Sequence, residues 1–137
     1  MSDAPQAPVP TPATTSSGLA PNVAGALAYL LGPLTGLFFL VTEKENRFVR
    51  FHAAQSITVG VGLIILAIAL SVLESLLSVV PILGILIGLL ISIVLGLGSF
   101  VLWLVLMYRA YQGQEWEVPI AGVQARRLVA PPPPAVP

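Results

Sequence analysis

The sequence has no cysteine, a single histidine and very few charged residues. Without cysteine the chain can form no disulfide, thiolate nucleophile or Cys-based metal site. A zinc site needs three or four ligands, which His52 alone cannot supply. We therefore predict no metal and no cofactor. Six basic residues balance six acidic ones, so there is no electrostatic footprint for nucleic acid.

Charged residues make up 9% of the chain and hydrophobic residues 56%. A soluble domain usually carries about 25% charged residues, which cover its surface. Because so few charges cannot solvate a globule of this size, lipid must replace water over much of the surface. The composition predicts an all-α integral membrane protein whose first partner is the lipid bilayer.

Two long uncharged stretches predict three transmembrane helices. Residues 22–42 contain no charge and would span about 31 Å as a helix, with a kink at Gly32-Pro33. Residues 53–107 carry one charge, Glu74, and are long enough for two crossings joined by a turn. The predicted helices are 22–42, 51–73 and 82–108, within a membrane domain of residues 22–113. We interpret Glu74 as a turn carboxylate, with a proton carrier as the alternative.

The two ends of the chain are rich in proline. Residues 1–21 have little to bury and are predicted to be disordered. Residues 114–137 are predicted to be a polar cytoplasmic flank that ends in a Pro-rich tail.

The basic residues predict the orientation in the membrane. With three crossings, the loop after the first helix and the C-terminal flank lie on one side. That side carries every basic residue of the chain: Lys44, Arg47, Arg50, Arg109, Arg126 and Arg127. Since basic residues collect on the cytoplasmic side, we predict a plasma membrane protein with its C-terminus inside and its N-terminus outside.

Small residues at a spacing of four predict helix contacts, because small side chains let backbones approach closely in lipid. The first helix has Ala28, Gly32 and Gly36, and the third has Gly84, Gly88, Ser92 and Gly96. Whether these stripes pack within one chain or between copies is open, so a homo-oligomer and a membrane-protein partner are both possible.

The segment RFVRFHAAQS is the predicted interaction surface. Arginines 47 and 50 share a helical face suited to a phosphate or a carboxylate, and a polar stripe enters the membrane behind them. With the aromatic end of the third helix, the candidate residues are Arg47, Arg50, His52, Gln55, Ser56, Tyr108, Tyr111 and Gln112. The alternative is an interfacial anchor with hydrogen bonds between helices. Glu115 and Glu117 could pair with either arginine.

No catalytic residue is predicted. A Ser-His pair of Ser56 and His52 lacks a third group and an oxyanion-hole motif. The chain is therefore not expected to be an enzyme.

The segments NRFVRFHAAQS and MYRAYQG resemble a family of small prokaryotic membrane proteins without assigned catalytic residues. That family is distantly similar to a chloroplast inner-envelope component of the protein import (Tic) machinery, which has four helices. The resemblance covers about residues 22–122 and implies a helical membrane protein.

Two classes of function remain. The first is a non-enzymatic assembly or interaction module. The second is a small transporter, channel or translocation component that acts as an oligomer. The first is favoured because three helices are too few to enclose a pathway alone and no inverted repeat is present.

Overall fold

The computed structural model describes residues 15–130, and within that range all of the regular secondary structure is helical. The helices are α1 (Pro21–Leu27), α2 (Pro33–Thr42), α3 (Arg47–Leu77), α4 (Pro81–Tyr111) and α5 (Ala121–Val129). Most of the predicted disordered tail and the final Pro-rich run lie in residues 1–14 and 131–137, outside the described residues.

The two long helices α3 and α4 form a hairpin. Each has 31 residues and is therefore about 46 Å long. The Asn46 side chain caps the start of α3 by accepting a hydrogen bond from the Val49 N–H at 3.2 Å. Pro81 occupies the first turn of α4, where its missing N–H is not needed. Both helices are long and apolar enough to cross a membrane, since each contains an 18-residue stretch with a mean hydropathy of 2.6 in α3 and 2.7 in α4.

The hairpin has two unlike halves. No residue between 61 and 101 is buried, and we call this exposed apolar part the shaft. The rest of the described chain packs together around the start of α3 and the end of α4, and we call this part the base. The base contains the buried residues of the hydrophobic core, such as Ala28, Val49, Ala53 and Leu106.

The first predicted transmembrane helix is two short helices in the structure. α1 has 7 residues and α2 has 10, and residues 28–32 break the helix between them. Gly32 has φ 59° and ψ −129°, a backbone conformation open mainly to glycine. Pro33 follows without an N–H to continue α1. The expected kink in one continuous helix is therefore a full break.

The start of α1 and the end of α2 lie at the same end of the molecule. The Asn22 side chain donates to the carbonyl of Tyr111, where α4 ends, at 2.9 Å. The chain turns back at the break, and α2 ends at Thr42, just before α3 begins. A Cβ at Gly36 would lie 2.8 Å from the carbonyl oxygen of Ala53, so α2 packs closely along α3. The single continuous helix predicted over residues 22–42 is therefore not present, and three membrane crossings are not confirmed, since only α3 and α4 are long and apolar enough to cross a membrane among residues 15–130.

α5 was not predicted. It packs along the first half of α3, with Ala125 buried against Phe51 and Ala54. The Thr58 hydroxyl donates to the Ala121 carbonyl at 3.2 Å. The start of α5 therefore meets α3 at Thr58 and its later part meets α3 at Phe51, so the two helices run antiparallel. A helix of 9 residues depends on such packing, because its own hydrogen bonds are too few to stabilise it.

The small-residue stripe of the first predicted helix lies in the base. Ala28 is buried and Gly36 contacts α3, whereas Gly32 is the strained residue of the break.

The stripe on α4 divides between two environments. A Cβ at Gly84 would lie 2.9 Å from the Cα of Ser78, and one at Gly88 would lie 3.5 Å from the Glu74 carboxyl group. Ser92 is exposed, and a Cβ at Gly96 would meet nothing within 4 Å. A helix turns about 100° per residue, so a spacing of four rotates the stripe by about 40° at each step. One end of the stripe consequently faces α3 and the other faces outward.

Candidate functional site: a buried polar cluster in the base

Four polar side chains come together where the break meets α3. His52, Gln55 and Ser56 share one face of α3 because their spacing is i, i+3 and i+4. They are 1%, 0% and 2% exposed, and Tyr29 from the break is 2% exposed. We call these four residues the polar cluster. The three predicted surface residues of α3 are thus interior residues, because α1, α2 and the segment after α4 cover that face.

Gln55 connects three parts of the chain. Its Nε2 donates to the Tyr29 hydroxyl at 3.1 Å and to the Trp116 carbonyl at 3.0 Å. Its Oε1 accepts from the Val118 N–H at 3.3 Å. One amide side chain thereby holds the break and the segment before α5 against α3.

The backbone of the break is hydrogen-bonded by side chains from other helices. The Ser56 hydroxyl donates to the Gly32 carbonyl at 2.8 Å, and the Trp103 indole N–H donates to the Tyr29 carbonyl at 2.8 Å. Thr35 donates to the Ala28 carbonyl at 3.0 Å. Irregular backbone at membrane depth is stable only where the protein itself supplies such partners.

His52 is enclosed by aromatic rings. Its Nδ1 lies 3.0 Å from the Tyr29 hydroxyl, and the Phe48 ring centroid is 4.5 Å from its own. The Tyr29 oxygen accepts from Gln55 and also pairs with Nδ1, and the imidazole tautomer sets which of these two atoms donates. Nε2 has no hydrogen-bond partner among residues 15–130. The Ser56 hydroxyl points to Gly32 and not to His52, so these two residues do not form a nucleophile–base pair.

Glu43 is a buried carboxylate at the rim of the base. It is 1% exposed. Its Oε2 accepts from the Ser16 N–H at 2.7 Å, and its Oε1 accepts from the Ser16 hydroxyl at 3.1 Å and the Asn46 N–H at 3.2 Å. Burial raises the pKa of Glu43, but these hydrogen bonds to the charged form outweigh it and hold the pKa below its ordinary value.

The two predicted arginines have different surroundings. Arg50 donates to the Leu40 carbonyl at 3.3 Å and to the Glu43 carbonyl at 2.8 Å, which closes the end of α2. Arg47 is exposed. Arg50 is therefore engaged in closing the end of α2, whereas Arg47 is exposed at the surface.

The remaining predicted residues of the interaction surface lie on the outside of α4. Tyr108 and Tyr111 are 60% and 59% exposed, and Gln112 is exposed as well. They do not line the polar cluster.

The acidic pair after α4 binds an arginine of α5. Arg126 donates to Glu115 at 3.1 Å and also to Glu117, and its guanidinium carbon lies 4.6 Å from the Phe51 ring centroid. The suggested pairing of Glu115 and Glu117 with Arg47 or Arg50 is therefore wrong. The nearer partner is on α5, a helix that the sequence did not predict.

Sequence reasoning missed Tyr29 and Trp103 as parts of this region. Tyr29 and Trp103 are isolated polar-tipped aromatic residues inside aliphatic segments, and buried Tyr and Trp usually find a hydrogen-bond partner. That signal points to a polar interior. Within residues 15–130 no group of three or more His, Asp or Glu side chains could hold a metal ion.

A cavity of about 410 Å³ opens beside the polar cluster. Its walls come from α3, α4 and the segment that leads into α5, and they include Thr58, Gly62, Leu63, Leu66, Leu102 and Ile120. A smaller cavity of about 80 Å³ lies next to the break.

A comparison with known protein families finds a match, which includes most of the base. The model of the magnetosome magnetite crystal formation protein family matches residues 15–124. The chain belongs to that family. The matched residues cover the shaft and most of the base of this chain, whereas most of the two tails falls outside the match.

Relatives of this family member are membrane proteins of archaea. A UPF0132 membrane protein of Archaeoglobus fulgidus is 48% identical over 108 residues, which cover 79% of this chain and 94% of the relative. One from Methanocaldococcus jannaschii is 42% identical, covering 79% and 87%. These matches confirm the prediction that the chain belongs to a family of prokaryotic membrane proteins. They give no support for the expected similarity to a chloroplast import component. No solved structure matches the chain.

Proposed function

We propose that this family member is a non-enzymatic assembly module of the plasma membrane, in which a rigid base is carried by a shaft that contacts lipid and a second copy. The hydrogen bonds of the polar cluster support this proposal. Gln55 and Ser56 bind other parts of the same chain, so they are occupied in holding the fold. The basic residues favour a cytoplasmic base.

The observation that carries the proposal is the exposed shaft. An 18-residue apolar stretch of α4 has none of its residues buried within the chain. On its outward face Ser92 and Gly96 leave the backbone uncovered. Small residues on an apolar helix permit close approach of another helix in lipid. A second copy of the chain is the occupant that we propose for this face.

Single cysteines test this assembly directly, because the natural chain has none. Ser92→Cys and Gly96→Cys should form disulfide-linked dimers on mild oxidation in native membranes. Ser71→Cys on α3 is the matched control, since Ser71 is also an exposed small residue of the shaft. Equal crosslinking at Ser71 and Ser92, or none at either with a monomer in mild detergent, would contradict the proposal.

A transporter or channel role is the second candidate, and the break favours it. Broken helices at membrane depth line many transport sites, and the 80 Å³ cavity lies against Gly32 and Ser56. This cavity is too small to form a path in one copy, so transport would require an oligomer. Flux of ions or small solutes through liposomes that contain the purified chain would support this role. Tight liposomes with a crosslinkable dimer would favour the assembly module.

A further inference from the structure

The walls of the 410 Å³ cavity are mostly apolar. They are apolar side chains of α3, α4 and the segment before α5, with Thr58 and Gln124 as polar exceptions. The single proton of the Thr58 hydroxyl is used within the chain, since the carbonyl oxygens of Ala54, Gln55 and Ala121 all lie within hydrogen-bond distance of it. The cavity therefore offers a largely apolar contact to a ligand, with Gln124 as the polar side chain at its edge.

Two of the cavity walls continue into the shaft. Leu63 and Leu66 belong to α3 and Leu102 to α4, and the neighbouring side chains along both helices are exposed apolar residues. A ligand in the cavity would reach it from the surrounding lipid. This placement favours a membrane lipid over a water-soluble molecule.

An exposed cation, Arg127, follows the cavity residue Gln124 along α5. Because α5 runs antiparallel to α3, the chain rises from Ile120 toward the rim of the base, and Arg127 is about 10 Å further along. Arg127 follows Gln124, a cavity residue, by three positions and so lies on the same side of α5. Arg127 is exposed, whereas Arg126 is engaged by Glu115 and Glu117. An apolar cavity with an exposed guanidinium group further along α5, on the side of the cavity residue Gln124, matches the two ends of an anionic phospholipid.

Ile120 at the cavity wall gives independent support. It is the only residue other than glycine with positive φ in the described part of the chain, at 71°. This conformation is unfavourable for a β-branched residue. The backbone here forms a γ-turn in which the Ala121 N–H donates to the Pro119 carbonyl at 2.8 Å, while the Ile120 side chain itself is 80% exposed. Contact with an acyl chain would supply the missing apolar environment, and strained residues of this kind cluster at ligand sites.

We propose that this cavity binds one acyl chain of an anionic phospholipid, whose phosphate lies against Arg127 and Gln124. The lipid would join α5 to the shaft. This site is separate from the outward Ser92–Gly96 face used in the proposed assembly, so either proposal can fail without the other.

The test uses the full chain in phosphatidylcholine vesicles with a small fraction of phosphatidylglycerol that carries a photoactivatable acyl chain. Mass spectrometry locates the labelled residues. Labelling should concentrate on Leu63, Leu66 and Ile120, above the level on Ile85 and Leu89 of the shaft. Equal labelling of both sets would show ordinary lipid contact and would overturn the proposal.

Gly62→Leu tests the cavity itself. Gly62 lines the cavity, and a Cβ there meets nothing within 4 Å, so the added side chain fills the space without a clash. This variant should lose most of the cavity labelling. Gly98→Leu is the matched control, because Gly98 also has open space but does not line the cavity. Unchanged labelling in Gly62→Leu, or an equal loss in Gly98→Leu, would contradict the site.

Arg127→Gln tests the phosphate contact. It should reduce labelling by the anionic probe about fivefold, the effect expected of one cation near an anionic head group. Labelling by a phosphatidylcholine probe should not change. Arg109→Gln is the control, since Arg109 is an exposed cation paired with Gln114 and lies on α4. Anionic labelling that survives in Arg127→Gln, or that falls as much in Arg109→Gln, would overturn the assignment of the phosphate to Arg127.

Discussion

The Glu43 carboxylate accepts a hydrogen bond from the backbone N–H of Ser16 at 2.7 Å, across 27 positions of the chain. A continuous helix over residues 22–42 would separate its ends by about 31 Å. The contact instead places the segment before α1 and the loop after α2 at one end of the molecule. Only α3 and α4 then remain as candidate crossings among residues 15–130.

Labelling of single cysteines in intact cells should reveal this topology. We expect Ser17→Cys and Lys44→Cys to be protected together from an impermeant thiol reagent, because both lie at the base. Ser78→Cys, in the turn between α3 and α4, should react. All three positions are exposed in the structure, so burial does not mask the result. Reaction at Ser17 with protection at Lys44 would restore the model of three crossings.

The Glu43 hydrogen bonds should make stability depend on pH. The pKa of folded Glu43 lies below its ordinary value, so its contribution is complete above the pKa of an unfolded carboxyl group. The contribution is lost as the pH falls through the folded pKa. Thermal unfolding in detergent should therefore show a larger loss of Tm on acidification for wild type than for Glu43→Gln. Near neutral pH, Glu43→Gln should lose about 1–3 kcal/mol.

Glu45→Gln is the control for this measurement, since Glu45 is an exposed carboxylate of the same loop. It should follow the wild-type pH profile. Parallel pH profiles of wild type and Glu43→Gln would show that the buried carboxylate is not a stabilising group.

Gly32→Ala should destabilise the chain by about 1–3 kcal/mol through the backbone alone. Its φ is 59°, and an added Cβ would meet no atom within 4 Å. Gly62→Ala is matched to it, because that Cβ also meets no atom but the backbone is helical. Gly62→Ala should be neutral or slightly stabilising. The difference in unfolding free energy between the two variants measures the strain at the break, and equal values would argue against a break in this conformation.

Gln55→Leu should release the segment between α4 and α5. It removes the hydrogen bonds to the Trp116 carbonyl and the Val118 N–H and leaves both groups without that partner. A loss of roughly 1–3 kcal/mol is expected. Limited trypsin digestion should cut faster at Arg126 and Arg127 in this variant. Ser71→Ala is the control, since its hydroxyl only bonds the Ala67 carbonyl within α3, and a digestion rate for Gln55→Leu equal to that of the control would contradict the role of Gln55.

The sequence alone determined that lipid surrounds much of the chain and that the fold is helical. Few charges and long apolar stretches require lipid, and Ala53 to Met107 is too long for one crossing, so the α3–α4 hairpin follows from length. Glycine and proline at positions 32 and 33 also mark the interruption of the first apolar segment correctly. These features depend on composition and local geometry, which the sequence carries explicitly.

Only the tertiary structure decided whether residues 22–42 form one continuous helix or two short ones. Length and hydropathy are the same for a continuous helix and for two antiparallel ones. Which of the two forms depends on hydrogen-bond partners for the backbone groups that the break frees. Ser56 binds the Gly32 carbonyl, 24 positions away, and Trp103 binds the Tyr29 carbonyl, 74 positions away. The same holds for His52 and Gln55, whose spacing shows a shared face but not what covers it. Burial of that face is set by α1, α2 and the segment before α5, because contacts between distant segments arise only when the whole base packs together.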